Sequence, residues 1–420
     1  KLEMERVTIS AGNTLDRVDA QILLRGQPIT IAGHVGSLSR VLVGASTVPV
    51  DLAVNVKGAG VKSRGTVGLA DDAGKASLDL EVAVHDKGAL ERLAGKALSL
   101  PLPLTFSAHL EQGRKSGKLS GIALTAGKQT LSGSAAFDLG SARPRFDLVA
   151  KAETFDLGAL FPPRPEPATP PATPPATPPT ASGFFSEYSS KLAAPLPFDA
   201  TVAVDVASLR LPGQPALNRF HARCAFARNS VKAQRVEFEL DDGSRASGTA
   251  MLGLAENAGK ASLDIDAVIR DKATLERLAN KQLHLPMPLA FRGRIEQDHA
   301  RSTVPAFTLI AGKNEISGRV AFDASAARPQ LDLAARAKEF DLGDFLPPPA
   351  SPAARTDQSS AGGRLFSESP LELPKPPAFD ARIDLAAAKL QLPGRPALSG
   401  FHATLLFSNT LFKLQPLQFE

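Results

Sequence analysis

The residues here that most invite a reading as chemistry are seven histidines, one cysteine and two pairs of adjacent aspartates. His221 and His402 occupy equivalent places in two similar segments, LPGQPALNRFHA and LPGRPALSGFHA, each a turn between apolar runs. A metal site needs three or four ligands converging from known spacings, and neither histidine has such company nearby. They read as hydrogen-bonding residues beside a turn. Asp71-Asp72 and Asp241-Asp242 could share general acid–base work, but no partner base is in view. The second pair runs into Gly243, which is turn chemistry. Cys224 stands alone, so the chain has neither an internal disulfide framework nor a thiolate cluster, and its reading is a buried apolar thiol. No GxSxG, P-loop, HExxH or post-strand dinucleotide fingerprint occurs. The expectation is a protein that is not an enzyme, with no catalytic residue, no metal and no cofactor.

What organises the chain is a repeat. GKASLDLEVAVHDKGALERLAGKALSLPLPLTF from Gly74 returns at Gly259 as GKASLDIDAVIRDKATLERLANKQLHLPMPLAF, and the offset holds without a gap to Pro163 and Pro348. Of the 90 aligned positions, 44 are identical. A unit duplicated at this length is expected to stack on its neighbour. His85 aligns with Arg270, an exchange a reactive histidine would not tolerate. A shorter echo pairs 379–420 with 198–239 and stops within the unit, as in a piece of a longer protein.

Within each copy the apolar residues alternate with period two. Leu78, Leu80, Val82 and Val84 fall on one side, with Asp79, Glu81 and His85 on the other, which is the pattern of a half-buried strand. Asp86 to Lys96 breaks it: Leu90, Leu93 and Ala94 have helical spacing behind an Asp86 N-cap, and the copy is Asp271 to Lys281. Gly36 to Leu42 could form one helical turn. Leu104 to Gln112, Lys118 to Ala126, Thr130 to Leu139 and Phe146 to Ala152 then read as strands. Their joints are too short for a crossover helix, so neighbours should pair antiparallel. Thus the fold class is mainly β: an elongated, curled antiparallel meander or groove of repeated units, with a few short helices. Residues 162–195 contain ATPP three times from Ala168, a stiff polyproline spacer. Residues 347–377 form a second low-complexity stretch. The expected domains are therefore 1–161, with a partial repeat and the full repeat 74–161; 196–346, with the full repeat 259–346; and the start of a third unit at 378–420.

Composition narrows the partners. The 48 basic and 43 acidic residues leave +5, without the concentrated basic stripe of a nucleic-acid binder. No apolar run approaches the ~18 residues of a membrane-spanning helix, and no signal peptide opens the chain. Outer-membrane barrels carry aromatic girdles; this chain has no Trp and one Tyr. Many strands with one aliphatic face can hide it in a packed sandwich or leave a groove for acyl chains, and alternation alone serves both. In the groove reading, Leu78, Leu80, Val82, Val84, Phe137, Phe146 and Leu148 line it. Leu263, Ile265, Ile269, Phe322, Leu331 and Leu333 do so in the second copy.

Three stretches resemble the AsmA family of bacterial envelope proteins: Gly26 to Gly44, Val48 to Gly68, and LSGSAAFDLGSARPRFDLVAKAETFDLGALFP (Leu131 to Pro162), which recurs from Ile316 to Pro347. The shared order is an LSG strand, an apolar-Asp strand end, an Arg-Pro turn, a strand, and an FDLG close. The resemblance implies a β-rich, grooved, periplasmic protein anchored to the inner membrane by an N-terminal helix that this chain lacks. It implies envelope biogenesis with phospholipid acyl chains as cargo between the inner and outer membranes, and outer-membrane components as further partners. The alternative it leaves open is a scaffold for outer-membrane protein assembly or targeting, without lipid cargo. The Pro-rich insertions depart from the family pattern.

Overall fold

The computed structural model describes residues 2–12, 14–24, 27–37, 45–69, 72–88, 91, 101–159, 195–212, 214–279, 283, 285–345, 379–408 and 411–419. The Gly36 to Leu42 turn, most of the Asp86 to Lys96 helix and both Pro-rich stretches lie mainly or wholly outside them. The chain is mainly β and forms two compact units.

The first unit carries β1 (Leu2–Ser10), β2 (Leu15–Leu24), β3 (Gln27–Gly36), β4 (Thr47–Val56), β5 (Ala59–Gly68), β6 (Ala76–Val84) and β7 (Leu104–Gln112). It continues through β8 (Ser116–Ala126), β9 (Gln129–Asp138), β10 (Arg145–Asp156), β11 (Asp199–Arg210), β12 (Leu217–Ala227) and β13 (Ser230–Glu239). From β1 to β10 each strand pairs antiparallel with the next, an open meander. Two-residue joints turn β4 into β5 and β8 into β9, with Gly58 (φ 79°) and Gly127 (φ 61°) supplying the positive φ that such hairpins require. Then β10 and β11 pair parallel, Arg145 opposite Asp199 through Asp156 opposite Arg210, before β11–β12–β13 return to antiparallel. β14 (Arg245–Gly253) follows, most of it in this unit.

The second unit repeats the plan. β15 (Lys260–Ile269), β16 (Leu289–Asp298), β17 (Arg301–Ala311), β18 (Asn314–Asp323) and β19 (Gln330–Asp341) pair antiparallel in order. β19 and β20 (Asp380–Gln391) are parallel, and β21 (Leu398–Ser408) and β22 (Leu411–Gln418) continue antiparallel. Helix α1 (Lys272–Ala279) interrupts the meander where the sequence predicts it. Asp271 caps it by accepting the Thr274 N–H at 2.9 Å, and Leu275 is its buried anchor.

The compact units change over within 242–257. The strands on either side of each Pro-rich stretch are hydrogen-bonded parallel neighbours, which requires a long connection between them. The reason is topological. A parallel neighbour starts at the far end of its partner, so the chain must travel back along a 12-residue strand, roughly 40 Å. The 42 residues 157–198 and the 38 residues 342–379 make those journeys.

Candidate apolar binding face

Register, read strand by strand, puts the aliphatic residues of each unit on one face. One row in the first unit runs Val7–Ala20–Ile31–Val54–Val61–Val82–Phe106–Leu124–Leu131 across nine strands. Another runs Leu119–Ala135–Leu148–Val202–Cys224–Ala233, crossing the parallel seam without a change of face. In the second unit, Val304–Val320–Leu333–Ile383–Leu405–Leu414 is the matching row.

All the expected lining residues fall on these faces. Leu78, Leu80, Val82 and Val84 sit opposite Leu110, Ala108, Phe106 and Leu104. Phe137 and Leu148 join through the Phe137–Phe146 and Ala135–Leu148 pairs. Leu263, Ile265 and Ile269 face Ile295, Gly293 and Leu289, while Phe322 and Leu333 sit opposite Leu331 and Val320.

Most of this face is half-buried. Val84 is 2% exposed, but Phe146 and Leu148 on the same face are 40% and 41% exposed. In a closed sandwich the inward residues of every strand would be buried. Phenyl rings pave the exposed floor where glycine leaves room. Phe137 lies over Gly117, where a Cβ would come within 2.4 Å of the ring, and Phe307 lies against Gly293 and Gly318. Gly33 (φ 151°) and Gly65 (φ 152°) bring their strands so close that a Cβ would sit 2.0 Å from a neighbouring carbonyl oxygen.

The opposite face is polar. Its central row is Arg17–His34–Asp51–Arg64–Asp79–His109–Ser120. Arg64 pairs with Asp51 at 2.7 Å and His109 Nδ1 lies 2.8 Å from Asp79. In the second unit, Thr404 Oγ donates to Asp384 at 2.6 Å, and with Arg382 beside it this holds the Asp384 carboxyl below its usual range. These ladder charges are largely paired across or along strands.

The residues weighed for chemistry take structural places. Asp72 is held below the usual carboxylate range by the hydrogen bond and charge of Lys75, at 2.7 Å. Burial would raise the Asp242 pKa, but hydrogen bonds from Ser244 and Thr274 outweigh it and keep the carboxyl low. Asp241 accepts from Asn218 at 2.6 Å. His221 sits in the ladder between Asp205 and Glu237, and His402 lies opposite Ala386 and Gln418. Cys224 is half-buried on the apolar face, where burial pushes its thiol pKa up. Among the described residues no group of three His, Cys, Asp or Glu side chains could hold a metal ion, and no helix is long and apolar enough to cross a membrane.

Sequence reasoning did not foresee the seams, and the motifs that close each repeat turn out to build them. The Arg-Pro arginine clamps the incoming strand. Arg143 donates to the Leu196 and Phe198 carbonyls at 3.1 and 2.8 Å and pairs with Asp199 at 2.9 Å; Arg328 pairs with Asp380 at 3.0 Å. The prolines join in, since Pro144 and Pro329 carbonyls accept the Asp199 and Asp380 N–H groups at 2.9 and 2.8 Å. At the other end the FDLG aspartate folds the departing chain. Asp156 and Asp341 accept the N–H of Gly158 and Gly343. Their own N–H groups donate to Gln129 and Asn314, residues at equivalent places in the repeat. Lys313, beside Asp341 at 2.9 Å, lowers that carboxyl further.

Over the β19–β20 seam the apolar face deepens into a hollow of about 400 Å³. Its walls come from β17 to β21 and from Leu342, just past the FDLG phenylalanine Phe340. The chain matches no family model, no curated protein and no solved structure.

Proposed function

We propose that this chain binds phospholipid acyl chains on its apolar sheet face and carries them between the inner and outer membranes of a bacterial envelope, as a periplasmic, non-enzymatic protein. The observation that carries the reading is the one-sidedness of the sheets. Rows of Val, Leu, Ile and Phe run across successive strands on one face, with Phe146 and Leu148 still two-fifths exposed. Soluble monomers seldom leave apolar surface of that extent open unless it has an occupant.

Movement along such a face needs no chemistry. Burying a methylene contributes about 0.8 kcal/mol, and each row offers nearly the same side chains as the last. A chain sliding from row to row exchanges one set of contacts for an equivalent set, while its headgroup stays in water. Resemblance of the Arg-Pro and FDLG segments to AsmA proteins supports the envelope setting.

The test is to purify the full chain from bacteria without detergent and examine it by native mass spectrometry and lipid extraction. Co-purifying phospholipid, lost in a Leu148→Asp, Leu333→Asp double variant that keeps its circular dichroism, supports the reading. Lipid-free protein that takes up none from vesicles overturns it.

A further inference from the structure

The hollow over the second seam differs from the open face around it. Phe307, Leu333, Phe340, Leu342, Leu385 and Phe401 are among the walls, and all are apolar. Arg336 contributes backbone only: its register partners, Ser317 and Ala386, place its side chain on the polar face. Its Phe340 wall is braced from behind the strand end: Phe345 stacks on Phe340 with ring centroids 5.1 Å apart, and Asp344, two residues past Leu342, is tied to Asn314 at 2.9 Å.

From these features we propose that the seam hollow is a discrete seat for one unbranched hydrocarbon chain, a stopping place on a face that elsewhere only guides. The proposal rests on the lipid reading above and narrows it to a position. The walls themselves choose the occupant. A peptide strand would need partners for its N–H and C=O groups, but the wall backbones are already paired in the β17–β21 ladders and no polar side chain faces inward. A helix, about 10 Å across, is too wide for a hollow of about 400 Å³. A flexible aliphatic chain needs no partner and fits the volume, which lies in the usual ~300–1,000 Å³ range of small-ligand sites. The bounded volume of about 400 Å³ makes the seat finite. Affinity should rise about fourfold per added methylene, then level off once the hollow is full.

The chain contains no Trp, so one introduced indole reports its own surroundings. Phe401→Trp puts it in the hollow and Phe106→Trp puts it on the open face of the first unit. Each variant is mixed with vesicles of phosphatidylcholine carrying a dibrominated stearoyl chain, whose bromines quench only at contact. The expected result is saturable loss of most emission from Phe401→Trp at equimolar bound lipid, with weak, non-saturating loss from Phe106→Trp. Saturated fatty acids of increasing length should compete with the rising-then-level profile. Adding Ala335→Phe, which fills the hollow, should abolish the saturable loss and leave the Phe106→Trp response unchanged. Leu333→Trp is the replacement reporter should Phe401→Trp misfold by circular dichroism. Equal quenching at both places, or quenching at Phe106→Trp alone, overturns the seat and leaves the broader lipid reading standing. No quenching at either overturns both.

Discussion

Replacing Arg143 by alanine tests the physical account of the seams. Arg143 reaches two carbonyls and one carboxylate on the residues that lead into β11, at 3.1, 2.8 and 2.9 Å. Hydrogen bonds from a charged donor contribute about 1.5–3 kcal/mol when shielded, and exposed ion pairs contribute about 0–1. The Arg143 site is partly buried, so the whole clamp should be worth about 2 kcal/mol. That is roughly a 30-fold change in the equilibrium for opening the seam. Hydrogen exchange followed by mass spectrometry on the intact chain reads it directly. Amides of β10 and β11 that pair across the seam should exchange about 30-fold faster in Arg143→Ala, while β4 to β6 should not change. Arg235→Ala is the control. Arg235 pairs with Glu237 at 2.8 Å, but both are well exposed on the polar face, so its removal should change exchange little. If Arg143→Ala leaves β11 protection unchanged, or if Arg235→Ala matches its effect, the clamp is an ordinary surface contact and the reasoning fails.

Other outcomes follow from the same geometry. Val84→Asp should prevent folding, because Val84 is 2% exposed and a charge there has no partner, whereas Leu148→Asp should fold and melt within a few degrees of the parent. Thermal denaturation of both variants decides this. Gly65→Ala should cost about 1–3 kcal/mol, since φ is 152° and its Cβ would meet the Ser77 carbonyl oxygen; urea titration measures it. Asp341 and Asp384 have folded pKa values held below the unfolded value, Asp341 by Lys313 and Asp384 by Thr404 and then Arg382. Their contribution is therefore fully present above the unfolded carboxylate pKa of about 4 and is lost as pH falls through the lower folded values. Melting temperature should drop as pH falls below about 4, and Asp384→Asn should flatten part of that slope.

Much of the fold was legible in the sequence because alternation is a local signal. Leu78 to Val84 declared their face without help from any other strand, and Asp271 announced the helix it caps. Two features escaped. β8 has a bulge at Gly121 (φ 60°), so Leu119 and Ile122 face the same side although three positions apart; β17 does the same with Val304 and Phe307. A period-two reading cannot see a phase that is reset mid-strand. The parallel seams escaped for a different reason. Nothing in Arg145 to Asp156 or Asp199 to Arg210 says which strand lies alongside, because that information sits in single residues outside them: Arg143, Pro144 and Gln129. The candidate site divided in the same way. Which residues are apolar and on one side could be read directly, while the place where the face deepens depends on Phe340, Leu342 and Leu385, brought together only by a register set across 38 intervening residues.

The parity of the strands carries a consequence of its own. β2 to β10 are nine antiparallel strands, so the ninth runs the same way as the first. A plain hairpin after an odd number would start the following copy upside down, swapping its top loops for its bottom ones. The long return before β11 undoes that inversion, and β11 sets off in the direction of β2. An odd set of strands thereby keeps its sense at the seam: the copy that opens with β11 starts the same way up as the one that opened with β2. An even-numbered ancestor would have needed no such return, and the proline-rich excursions would have had no topological reason to exist.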